Sequence, residues 1–115
     1  MTWYLRRGSK YGAKRQEYDG RTYHSKKEAG YAAELDILKK AGDVLMWEPQ
    51  FKVSLDVNGY HITNYFVDFK VWYKDGTIEL VEIKGFETEV WRLKRKLMEA
   101  VYLKENPEIK YVVVK

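Results

Sequence analysis

The stretch YFVDFKVWYKDGTIELVEIK, Tyr65 to Lys84, decides the architecture. Both of its arms are rich in β-branched and aromatic residues, and Lys74-Asp75-Gly76 separates them. That is the pattern of an antiparallel hairpin. Its register decides which side chains meet. A two-residue turn at Asp75-Gly76 sets Asp68 opposite Ile83, with its side chain facing away from Glu82. A three-residue turn at Lys74-Asp75-Gly76 pairs Tyr73 with Thr77 and sets Asp68 opposite Glu82. Three-residue loops place glycine last, in the left-handed conformation, and Gly76 occupies that place.

Working outward, Asn58-Gly59 is a second hairpin turn between a strand over 44–55, interrupted near Pro49, and a strand over 60–73. A third strand covers 77–84. Before them, Ser25 is an N-cap with Glu28 three residues on, a capping box. The helix it opens runs over 26–41 and ends at Gly42. Its apolar stripe is Tyr31, Leu35 and Leu38, with Ala32 at the edge and Glu28 at the N-terminal end. Thr88 caps a second helix over 89–104, with Val90, Leu93, Leu97, Ala100 and Val101 as its buried face and Arg92, Arg95, Lys96 and Glu99 exposed. Asn106-Pro107 stops it, and 108–114 forms a last strand. A short hairpin over 16–24, turning at Asp19-Gly20, comes before the first helix. The fold class is α/β: an αβββαβ core whose mixed central sheet is flanked by helices, preceded by a basic arm (1–14) and the hairpin, with 15–115 as one domain.

The chain has 115 residues, 45% of them hydrophobic and 33% charged, which suits one folded domain rather than a disordered chain. It lacks cysteine, which excludes disulfides and thiolate metal sites, and its two histidines argue against zinc. No signal peptide and no apolar run of membrane-spanning length are present, so the expectation is a cytoplasmic protein with no membrane partner. Residues 1–27 carry eight Lys/Arg and two acids, net +6, while the other 88 carry 13 basic and 15 acidic residues, net −2. A field concentrated at one end suits phosphate binding through Arg6, Arg7, Lys10, Lys14 and Arg15, or equally a solvated basic tail.

In the three-residue register, Asp68 and Glu82 become cross-strand neighbours inside the most apolar strands of the chain. Charges there are costly unless they are paired or coordinated. Glu82 and Lys84 point the same way, since strand side chains alternate. Asp68, Glu82 and the backbone carbonyl of Ile83 offer the oxygen set that Mg²⁺ prefers, with Mn²⁺ as a substitute, and Lys84 lies beside it to orient or deprotonate a water or neutralise a phosphate. The alternative is cross-strand charge pairing of Asp68 with Lys84 or Lys70. Glu28 is either a capping-box acid or a further ligand. Lys94 reaches the site or is solvated, and Lys96 is an exposed side chain or a weak phosphate contact.

These pieces resemble the PD-(D/E)XK nuclease superfamily, and most closely a family of small phage and prophage proteins of unknown function. The resemblance is carried by Tyr18-Asp19-Gly20, 24–29, 38–42 with Gln50-Phe51, 65–69, 82–85 and 93–97, in order and spacing. Val67 stands where the motif has its proline. The resemblance implies the αβββαβ core and metal-dependent cleavage of nucleic acid, with Asp68 and Glu82 as metal ligands, Lys84 activating water and Glu28 as the acid of the first helix. It implies DNA as partner, branched DNA such as a four-way junction in particular, and a homodimer. A DNA-binding module of the same fold without turnover is the rival reading, and an RNA-directed nuclease a third.

Overall fold

The computed structural model describes residues 16–115, so the arm and the phosphate contacts expected of Arg6, Arg7, Lys10, Lys14 and Arg15 lie outside the described residues. Strands β1 (Gln16–Tyr18) and β2 (Arg21–Tyr23) form a two-stranded hairpin, and helix α1 (Lys26–Ala41) follows. Strands β3 (Val44–Val57), β4 (Tyr60–Tyr73), β5 (Ile78–Ile83) and β6 (Ile109–Val114) make one sheet in that order. The first three run antiparallel and β6 pairs parallel to β5. The crossover between β5 and β6 is α2 (Glu89–Leu97), a π-helical turn over Met98–Tyr102 and a last turn, α3 (Leu103–Glu105). The fold is thus α/β with a mixed sheet, as expected. Among the described residues no helix is long and apolar enough to cross a membrane.

The local signals act as their chemistry requires. Ser25 Oγ accepts the Glu28 N–H at 3.2 Å, and Thr88 Oγ1 accepts the Trp91 N–H at 3.1 Å. Gly42, at φ 91°, closes α1 by donating to the carbonyls of its last turn. Tyr73 N donates to Thr77 O at 2.8 Å and Gly76 sits at φ 94°, so the third hairpin takes the three-residue turn. β3 runs on through Pro49, which pairs with Phe69, so the expected interruption there is absent. Pro tolerates this position because β3 is an edge strand.

The core has two parts. Ala29, Ala32 and Leu35 of α1 pack on Val44, Phe69, Val71, Val81 and Ile83, with Tyr23 docking the small hairpin onto them. Trp91 and Met98 pack on Val53, Leu55, Tyr65, Val67, Leu80 and Ile109. β5 is buried throughout from Leu80 to Ile83 and alternates between the two clusters. Two expectations are corrected here. Leu38 is half-exposed, because the buried stripe of α1 is made by Glu28, Ala29, Ala32 and Leu35 and ends one turn before it. In α2, Val90 and Leu93 are 63% and 58% exposed and Ala100 is exposed. The helix is turned by about one residue so that Trp91, the largest side chain, is buried and Arg95, partly exposed, lies over its ring at 5.7 Å.

Parity changes along β4. Phe69 and Val71 enter the first cluster, whereas Tyr65 and Val67, also odd-numbered, enter the second. A flat strand would send all four to one side. β4 therefore turns over at Asp68, and there the β4–β5 ladder stops, its last pair being Phe69 with Val81.

Candidate metal and phosphate site

Where β4 leaves β5, side chains take over the ladder. Asp68 N donates to Glu82 Oε1 at 3.2 Å, and Ile83 N donates to Asp68 Oδ2 at 2.8 Å. Each carboxylate stands in for a backbone carbonyl, holding the strands apart while keeping both N–H groups satisfied. Asp68 and Glu82 are 8% and 5% exposed. The three-residue turn thus brings the two acids together, and the register with Asp68 opposite Ile83 does not occur. Lys84 Nζ lies 3.9 Å from Glu82 Oε2 and 5.1 Å from the Trp91 ring centroid. Charge pairing is therefore present between Lys84 and Glu82, but not between Lys84 and Asp68, while Lys70 is held over the rings of Phe51 and Trp72.

The first turn of α1 adds the third acid. Glu28 is 4% exposed and its Oε1 has no hydrogen-bond partner. Its carboxyl faces Asp68, whose negative charge favours the protonated form of Glu28. The N-cap half of the capping box forms, while the Glu28 carboxyl is spent inside the site. All three acids sit above their ordinary range. Burial is the main cause for each. For Glu28 and Glu82 the charge of Asp68 adds to it, and Lys84 opposes it. For Asp68 the Ile83 N–H opposes it.

Two residues that the sequence did not mark as functional complete the surroundings. Gln50 Nε2 donates to Asp68 Oδ1 at 3.2 Å, and Gln50 holds φ 52° in the middle of β3. A left-handed backbone costs a non-glycine residue roughly 1–2 kcal/mol. Tyr65, buried behind Glu82, accepts from Trp91 Nε1 at 3.1 Å and bonds Tyr111 Oη at 2.9 Å. Neither could be placed from the turns alone. The Asn58-Gly59 turn pairs Val57 with Tyr60, a register that would put Gln50 opposite Val67. One extra residue, Ile62, shifts the pairing so that Gln50 and Asp68 face each other. Lys94 is half-buried and Lys96 exposed, and no contact ties either to the acids.

Among the described residues no three His, Cys, Asp or Glu side chains stand as a ready-made metal cage. The donor chemistry nonetheless fits a hard divalent cation. Glu28 Oε1 is an orphaned buried oxygen, and the Asp68 and Glu82 oxygens that accept one N–H each retain a second lone pair. A cation there would remove the repulsion that raises the acids. No curated protein and no solved structure matches the chain. Residues 8–114 match one family model, and on that match the chain belongs to the family described as Protein of unknown function (DUF1064).

Proposed function

We propose that this protein is a Mg²⁺-dependent endonuclease that hydrolyses phosphodiester bonds in DNA. The carrying observation is that three buried carboxyls, Asp68, Glu82 and Glu28, gather where β4 parts from β5, with the Lys84 ammonium 3.9 Å from one of them. The resemblance to PD-(D/E)XK nucleases supports the same reading. Asp68, Glu82 and the Ile83 carbonyl would hold the ion, with Glu28 behind them, directly or through water. When bound, the ion supplies Lewis acidity for the phosphate oxygens and lowers the pKa of a water. Lys84 holds the attacking water or screens the phosphate charge, and Glu82 keeps its amine in place. Buried Tyr65 and Trp91 keep solvent from the back of the site. Symmetric cutting of a duplex or a four-way junction would pair two such sites in a dimer.

A second reading has its own observation. Asp68 and Glu82 already cap backbone N–H groups, so they also serve as a structural wedge in a DNA-binding module without turnover. Nicking of supercoiled plasmid with Mg²⁺ or Mn²⁺ separates the two. Cutting by wild type, lost in Asp68→Ala, Glu82→Ala and Lys84→Ala and in chelator, is the expected result. Equal DNA binding by all four proteins with no cutting by any would select the module.

A further inference from the structure

We infer that Gln50 is a positioning residue for the metal site, holding the Asp68 carboxylate in its ligating orientation; this rests on the metal-dependent reading above. Three observations meet at this residue. Its side-chain amide donates to Asp68 Oδ1 at 3.2 Å, while Ile83 N fixes the other oxygen, Oδ2, at 2.8 Å. With both oxygens held from opposite strands, the plane of the carboxylate cannot rotate. Gln50 also keeps a left-handed φ of 52° at mid-strand, where most residues other than glycine are extended. Such a conformation persists only where its surroundings over-determine it, and such positions cluster at ligand sites. The register that brings Gln50 to Asp68 is itself a departure from the one its hairpin turn sets, made by the extra residue Ile62.

The amide suits this role better than the alternatives. A lysine here would neutralise Asp68 and compete with a cation. A fourth carboxylate would add repulsion to three acids already crowded. A neutral donor orients the ligand without changing the charge of the site, as partners of metal ligands do. The second amide atom, Oε1, is an acceptor, suited to a water on the ion.

The test uses Gln50→Gly in the full-length chain. Glycine accepts φ 52° without strain, so the backbone is kept and only the amide is lost. Gln50→Asn, which also tolerates the left-handed region but is one methylene shorter, serves as a second variant. Mn²⁺ affinity, read by calorimetry and by the loss of the free-ion EPR signal, is expected to fall about tenfold or more in both. Plasmid nicking should show a reduced rate at low Mn²⁺ that recovers at high Mn²⁺, with KM for DNA unchanged. A merely structural role would not give that recovery. If wild type binds Mn²⁺ and both variants bind it equally well, the inference is overturned and the metal reading survives. If wild type binds none, both fall together.

Discussion

Replacing Glu28 with glutamine tests the electrostatics of the acid cluster without any substrate. Glu28 is almost fully buried, and burial together with the charges of Asp68 and Glu82 lifts it from an ordinary 4.5 to about 9. An acid whose folded value is raised keeps its proton in the native state after the unfolded chain has lost it. Its stabilisation is complete below pH 4.5 and is lost as pH rises through about 9. Across that window stability falls by about 1.4 kcal/mol per pH unit for this group, or about 4 kcal/mol between pH 5 and pH 8. That is a large share of the roughly 5–15 kcal/mol available to a small domain. Asp68 and Glu82, also raised, slope the same way and steepen the loss. In Glu28→Gln the amide donates to Asp68 as the protonated acid does, and it does not titrate. Urea unfolding of the metal-free proteins at pH 5 and pH 8 should therefore show wild type losing about 2–4 kcal/mol more than the variant. Mg²⁺ added at pH 8 should restore wild type, since a cation stabilises the ionised cluster. Unfolding curves that shift equally with pH in the two proteins, within about 0.5 kcal/mol, would refute the placement of a raised acid at Glu28.

Gly76→Ala forces a φ of 94° on a residue with a Cβ and should cost about 1 kcal/mol in urea unfolding, with Mn²⁺ binding weakened if the strain loosens the Asp68–Glu82 register. Deleting residues 1–14 removes Arg6, Arg7, Lys10 and Lys14. If all four contact phosphate, the slope of log K against log salt should flatten by about 3–4 in a fluorescence-anisotropy titration on duplex DNA, whereas an unchanged slope would show that the arm makes no such contact.

Turns and caps made most of the fold readable. Gly76 fixed the meeting of Asp68 with Glu82, and Ser25, Gly42 and Thr88 marked helix ends that stand where expected. Helix facing was harder. Val90, Leu93 and Leu97 form as good a stripe as Trp91 and Met98, and the difference of one residue was decided by the indole of Trp91 finding Tyr65, a partner 26 positions away. The π-helical turn at Met98–Tyr102 also breaks the 3.6-residue period on which such stripes rely. Of the site, Asp68, Glu82 and Lys84 follow from alternation on strands. The inward turn of Glu28 follows from its place at the end of the buried stripe of α1, whereas the arrival of Gln50 depends on a bulge, which has no signature in composition or spacing.

That bulge has a counterpart. Leu45 is the extra residue on β3 at one end of the long hairpin, as Ile62 is on β4 at the other. Between them the two strands run one step out of phase with both the tip and the base. The tip is thereby uncoupled from the acids: a residue lost or gained near Asn58 can be absorbed by removing or rebuilding the bulge, leaving Asp68 and its neighbours where they are. Length changes at the exposed end of this hairpin should then be tolerated, whereas one residue lost or gained on β3 between Phe51 and Ser54, inside the bulge, would put Gln50 out of register with Asp68.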